Sequence, residues 1–253
     1  MRTQLTVALA ALLLSGSVPS VSAQPNPERE RARIQYRVGW ENMRAEAWEK
    51  AVKSFQEAVE IDPAYELAYY MLGRANMPLK RYAQAIAAYS KCRDLYQAQA
   101  GKQFSNAQEA QRARSNRLTE LDDMIRQVQS MPPSIRTQDQ MRQLQERRQR
   151  VQDAVATGYT ATLEATVPPW VSLALGSAHF RAEQFADAER EYKAAIAADS
   201  RSGETHSNLA VLYLQTGRYE EADKAVKAAE KTGFKVNPRL KEDIAAKKKS
   251  GSN

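Results

Sequence analysis

The side chains best suited to acid–base, nucleophilic or metal chemistry are few in this chain of 253 residues. They are two histidines, His179 and His206, a single cysteine, Cys92, and adjacent carboxylates such as Asp122-Asp123. General acid–base catalysis needs such groups to converge in a cleft. Metal binding needs His, Cys or carboxylates at ligand spacing, and phosphate binding needs a Gly-rich loop. The sequence offers no metal-spaced Cys/His cluster, no Gly-rich phosphate loop and no nucleophile elbow. No catalytic residue, no metal ligand and no cofactor is therefore expected. His179 and His206 fall at interior helix-packing positions, where a structural role is the expectation. Asp122-Asp123 is expected on a solvated helix surface. Cys92 occupies a small, interior site, and a lone thiol cannot close an internal disulfide. The recognition chemistry that remains is Trp and Tyr beside Arg, the residue types that anchor interfaces.

Those side chains must be positioned by helices. Ten Gly and ten Pro are few for the length, and straight-chain residues dominate over β-branched ones, which favours helix. The formal charge of +7 comes from basic and acidic residues interspersed along most of the chain, so the basic balance reads as a solvated helical surface. No nucleic acid partner is expected, because Lys and Arg are not gathered into one patch. The first residues have a different character. Arg2 gives a positive start, Leu5 to Leu14 is nearly all apolar, and Val21-Ser22-Ala23 supplies small residues. This is the pattern of a signal peptide over 1–23, cut after Ala23 and followed by a linker over 24–31. An uncleaved N-terminal anchor is the alternative. The apolar run is too short to span a bilayer, which takes about 20 residues, and no later stretch is long and apolar enough, so the chain is not expected to be integral to a membrane.

Internal repetition organises the rest. Gly39 recurs as Gly73, Trp48 as Tyr82, Ala51 as Ala85, Phe55 as Tyr89 and Ala58 as Cys92, each 34 residues on. A second pair of units has Gly176 with Ala210, Phe185 with Tyr219, Ala188 with Ala222, Tyr192 with Val226 and Ala195 with Ala229. Small residues at Gly39, Gly73, Gly176 and Ala210, and again at Ala51, Ala85, Ala188 and Ala222, leave room where two antiparallel helices cross, and the aromatics fill it. This order of small and aromatic residues, with Leu72-Gly73, Leu175-Gly176 and Pro63, resembles the tetratricopeptide repeat (TPR). The resemblance implies an all-α, right-handed superhelix, an α-α solenoid of four repeats over 32–65, 66–99, 169–202 and 203–236. It also implies that the first helix of each unit lines a concave groove that holds other proteins or peptides. Mapped onto this sequence, the groove carries Arg33, Tyr36, Arg37, Trp40 and Arg44, then Tyr70, Met71, Arg74 and Met77. From the later units it carries Trp170, Leu173, Phe180 and Arg181, then Ser207, Asn208, Val211 and Gln215. The Lys/Asn clamp by which some members of the family grip a C-terminal carboxylate is absent: Tyr36, Trp40 and Met71 stand there.

From Gly73 to Gly176 is 103 residues, nearly three periods of the repeat, yet in the segment between the two pairs, 100–168, the expected small positions fall on Thr119 and Asp153. A helical hairpin fits better. Phe104, Ala107, Leu118, Leu121, Ile125 and Val128 precede Met131-Pro132-Pro133, and Met141, Leu144, Val151 and Val155 follow it at heptad spacing. Antiparallel pairing sets Ile125 beside Met141, Leu121 beside Leu144 and Gln111 beside Val155. Thr137 with Gln140 reads as a capping box for the return arm. Arms on the order of 26 residues would be about 40 Å long and would project from the solenoid. Since the hairpin returns to its root, repeats two and three could stack directly. The C-terminal region reads as a capping helix over 237–249, opened by Asn237 and Pro238, and a disordered tail over 250–253.

The function these features imply is an exported scaffold that recruits protein partners, in cell-envelope assembly or secretion, with the coiled-coil-like hairpin offering a route to a homodimer. The alternatives are an enzyme-associated regulatory domain, or a binder of anionic polymer through Arg residues of groove and hairpin. Export has a direct readout. Mass spectrometry of the chain recovered from a secreting host should find Gln24 as the first residue; recovery with Met1 to Ala23 still attached would overturn the cleavage.

Overall fold

The computed structural model describes residues 26–99, 104–133, 135–156 and 167–251. The expected signal peptide lies outside them. Among the described residues there are eleven α-helices and no strand. The first four are α1 (Pro27–Arg44), α2 (Trp48–Ile61), α3 (Glu66–Asn76) and α4 (Tyr82–Gln99). The insert supplies α5 (Ala107–Gln129) and α6 (Ile135–Ala156). Then come α7 (Pro169–Arg181), α8 (Phe185–Ala198), α9 (Gly203–Gln215), α10 (Tyr219–Lys231) and α11 (Pro238–Gly251). Each repeat is a pair, α1/α2, α3/α4, α7/α8 and α9/α10, and each pair stacks on the next. Helix α4 packs directly on α7, so the solenoid runs on across the insert, and α11 closes the far end against α10.

What lets the helices of a pair approach is the contact foreseen at the small positions. A Cβ placed on Gly39 would stand 2.7 Å from the Phe55 ring, one on Gly73 2.5 Å from Tyr89, and one on Gly176 2.7 Å from Tyr192. No carbon sits that close, so glycine is required while the ring is there. The fourth repeat carries Val226 instead of an aromatic, and there Ala210 replaces glycine; both are buried. Residue size on one helix thus matches residue size on the other.

The turns repeat as well. Glu46, Lys80, Glu183 and Gly217 hold the same register between the helices of their units, and all four adopt positive φ, 54°, 58°, 60° and 75°. The residue after each donates its backbone N–H back to a carbonyl of the preceding helix: Ala47 to Asn42, Arg81 to Asn76, Gln184 to His179 and Arg218 to Tyr213, at 2.8 to 3.1 Å. This closes the helix end in the manner of a Schellman turn. Ion pairs tie successive units: Arg81 grips Glu49 through both terminal nitrogens at 2.8 Å, Arg93 reaches Glu191 at 2.9 Å, and Arg218, in the register of Arg81, reaches Glu189 at 2.5 Å.

Several expectations are corrected. Helix α1 begins at Pro27, inside the stretch read as a linker, because Asn26 caps the Glu28 N–H at 3.0 Å and Pro27 occupies the first helical position. Helix α6 begins at Ile135, so Thr137 is not its cap; its hydroxyl donates to the Pro132 carbonyl at 3.4 Å. Helix α11 continues to Gly251, into the expected tail, and Asn237 caps it by accepting from the Arg239 N–H at 3.0 Å. In the hairpin, Leu121, Leu144 and Val151 share one buried cluster with Leu118, Ile125 and Val128, so its apolar stripe is satisfied within the chain. The partner expected for Gln111, the Val155 side chain, lies outside the described side chains.

The size matching yields a test. Gly176→Ala should destabilise the chain by about 1–3 kcal/mol through overpacking. Tyr192→Val alone should cost a similar amount through the cavity it leaves. The double variant, which copies the fourth repeat, should cost clearly less than the sum in denaturant titrations. Additive costs would mean that the ring and the glycine do not constrain one another.

Candidate functional site

The concave side of the first two repeats is lined by α1 and α3. On α1, Arg29, Arg33 and Tyr36 recur at i, i+4 and i+7, which places them on one face. Helix α5 lies along that face in parallel. It presents Glu120, Asp123 and Gln127, spaced i, i+3 and i+7, and each meets its counterpart. Arg29 Nη1 donates to Glu120 Oε1 at 2.6 Å. Arg33 grips Asp123 with two nitrogens, Nε at 3.0 Å and Nη2 at 3.2 Å, the bidentate geometry that strengthens an Arg–carboxylate pair. Gln127 Nε2 donates to the Tyr36 hydroxyl. Arg117 anchors the other end of α5, donating to Tyr96 Oη at 3.1 Å and to Glu120 Oε2 at 3.2 Å, with its guanidinium over the Tyr96 ring.

Apolar contact is sparse along this seam. Met124 is the α5 side chain that packs against the core of the first two repeats, whereas Leu118, Leu121, Ile125 and Val128 pack in the hairpin's own cluster with α6. Arg148 of α6 pairs with Asp122 at 2.6 Å, on the side of α5 away from the ladder. The hairpin therefore lies on the solenoid instead of projecting from it.

The floor of the site is densely charged. Arg29 is shared among Glu120, Asp62 at 2.5 Å and Glu66 at 3.3 Å, donates to the Ala64 carbonyl at 2.8 Å, and lies over the Tyr65 ring at 4.6 Å. Glu66 also accepts from Gln99. Burial, together with the neighbouring Glu120 carboxylate, pushes the Glu66 carboxyl up to about 8. Tyr65 Oη is buried here with no hydrogen-bond partner among the described residues, as is Trp170 Nε1 in the cluster with Tyr96 and Val171.

The residues expected to line an open groove fall into three groups. Tyr36 is 1% exposed and Met71 2%, so both are covered; this corrects their reading as a free surface. Arg33 is likewise committed to Asp123. Half-buried residues come next. Tyr70 stacks edge-on against Trp170 with centroids 4.3 Å apart, and Trp170 also meets Tyr96 at 6.0 Å. Trp40 packs against the core of the first repeats, Met77 against the Ala85–Tyr89–Leu175 cluster, and Arg74 Nη1 lies 3.8 Å from the Met71 sulfur. Asn208 is also half-buried. The third group is exposed: Arg37, Arg44, Arg181 and, in the fourth repeat, Val211 at 37%.

Sequence reasoning missed Arg29, Glu66, Glu120, Asp123 and Gln127. Asp123, read as solvated, is only 3% exposed, because Arg33 and Arg126 surround it. The signal was present: a carboxylate–carboxylate–amide stripe on α5 matches the Arg–Arg–Tyr stripe on α1 in spacing. The remaining chemistry is structural. His179 is buried, with Nδ1 2.7 Å from Gln184 Oε1, and His206 Nε2 lies 3.0 Å from the Ser200 carbonyl. Burial pushes the Cys92 thiol well up, away from the reactive thiolate. Among the described residues no group of three or more His, Cys, Asp or Glu could hold a metal, and no helix is long and apolar enough to cross a membrane.

Stacked helical pairs with a continuous lined face define a repeat solenoid of the kind that binds other polypeptides. Tetratricopeptide-repeat profiles match residues 36–100 and 179–242, together about half of the chain, and the chain belongs to that family. The crystal structure of a MamA protein is similar to it in fold, with a TM-score of 0.55 at 14% identity, over 88% of this chain and 84% of that one. PilW, a widely conserved type IV pilus biogenesis factor, aligns with a TM-score of 0.40 at 18% identity, over 86% of each chain. No curated protein matches by sequence.

The Glu66 carboxyl gives a pH test. Its folded value lies above the ordinary carboxylate value, so the fold favours its protonated form. That contribution is full below about 4.5 and is lost as pH rises through about 8. Thermal stability should accordingly fall between about pH 5 and 8, and Glu66→Gln should flatten that slope. An unchanged slope in Glu66→Gln would mean that Glu66 does not carry it.

Proposed function

We propose that this chain is an exported, non-catalytic scaffold that recruits protein or peptide partners along its concave face, in assembly of the cell envelope or in secretion. Tetratricopeptide repeats generally serve as interaction scaffolds, and they supply the class of activity. Export rests on the residues before Gln24. The observation that carries the binding reading is the face itself, which through Arg29, Arg33 and Tyr36 of α1 already holds one helix in place. In this reading the face continues past that helix to Ser207, Asn208, Val211 and Gln215 on α9; Val211, Gln215 and, at the end of α7, Arg181 are exposed.

A pull-down from envelope extract tests it. The full chain should retain a defined partner set, and Arg181→Glu with Val211→Asp should lose at least part of that set while the helical circular dichroism stays unchanged. Retention of every partner by that variant would remove the open face from consideration.

A further inference from the structure

We infer that the groove of the first two repeats recognises an amphipathic helix bearing an acidic stripe, and that α5 is a resident copy of that ligand which an external helix of the same pattern displaces. The inference rests on the scaffold reading above and names the partner class for one part of the face. Three observations carry it.

First, the contact is made as a recognition site is made. Side chains at i, i+4 and i+7 on α1 read side chains at i, i+3 and i+7 on α5, through a bidentate Arg33–Asp123 pair, Arg29 on Glu120 and Tyr36 on Gln127. The code is a carboxylate, a second carboxylate one turn on, and an amide a further turn on, with Met124 as the apolar anchor. Second, the seam differs from the rest of the molecule in how it holds. The repeats join through buried apolar clusters, and so do the two arms of the hairpin; α5 meets the repeats chiefly through ion pairs and hydrogen bonds. Buried ion pairs fix register and partner while adding little net stability, since desolvation offsets most of the attraction. Third, the seam is imperfectly satisfied. Glu66 and Glu120 both draw on Arg29, and Tyr65 Oη, on the ring beneath the Arg29 guanidinium, is buried without a hydrogen-bond partner among the described residues. A ligand helix that brings an acceptor to that hydroxyl would outcompete α5.

Tethering makes the resident helix a strong competitor, because a short link holds it at an effective concentration in the millimolar range. An external helix should therefore bind the intact chain weakly and a loosened chain well. The probe is a fluorescently labelled peptide of residues 107–129, followed by anisotropy against the full chain. The wild-type chain should bind it at least tenfold more weakly than the chain carrying Glu120→Arg and Asp123→Arg, whose own α5 no longer fits the groove. The gentler Asp123→Asn chain, which keeps the shape of the site, should show a gain in the same direction. Adding Arg33→Ala to the loosened chain, which removes the grip on Asp123 without offering a partner to the resident helix, should weaken peptide binding at least tenfold. Circular dichroism and thermal unfolding of each chain verify that the repeats remain folded.

Equal affinity of wild-type and loosened chains for the peptide, or no binding by any of them, overturns the inference. Failure of the peptide while Arg181→Glu with Val211→Asp still abolishes partner capture would sink this inference alone; failure of both would sink the scaffold reading with it.

Discussion

Each of the first three repeats closes on a ring that lies where a side chain would otherwise stand. Phe55, Tyr89 and Tyr192 rest on the bare backbones of Gly39, Gly73 and Gly176, and that approach sets the distance between the two helices of the pair. The distance in turn sets the curve of the stack, and with it the face on which Arg29, Arg33 and Tyr36 line up. The fourth repeat shows that the rule concerns volume and not identity, since a valine opposite an alanine meets the same constraint. Charge recognition along the concave side is thus built on a steric agreement made one layer deeper.

That deeper layer was legible because it is local and periodic. Gly39, Gly73 and Gly176 repeat at a fixed interval with their partner rings, and nothing else in the chain competes for those positions. The hairpin was legible for the same reason: Leu118, Leu121, Ile125 and Val128 form a stripe that demands an opposing one. The seat of the hairpin was not legible in the same way. It depends on which long, flexible Arg and Glu side chains meet across roughly ninety residues of sequence, and a charged residue on a helix reads as solvated until its partner is in view. Asp123 misled for this reason, while Tyr36 was placed on the correct face but beneath another helix, and Met71 is taken up by the core of the first two repeats.

Two kinds of adhesion therefore coexist. Apolar clusters hold the solenoid and the hairpin as units, whereas polar side chains set the relation between them. A guanidinium gripping a carboxylate through two nitrogens adds directional specificity to that relation. A molecule assembled this way keeps its parts intact while their mutual fit stays specific. Glu66, its carboxyl pushed up by burial and by the neighbouring Glu120, sits beside Arg29 at the centre of that relation.

The direct stacking of α4 on α7 has a consequence for how the chain comes into being. The face that α4 offers to α7 includes Ala85, Tyr89 and Cys92, and its proper cover lies beyond residues 100–168. At a synthesis rate of about 5–20 residues per second, α7 arrives several seconds after α4 is complete. Through that interval the front half is an unfinished surface, and the next helix to emerge is α5, whose Arg117 lands on Tyr96 of the same helix. The order of elements along the chain thus gives the nascent N-terminal half an early companion before its permanent neighbour exists.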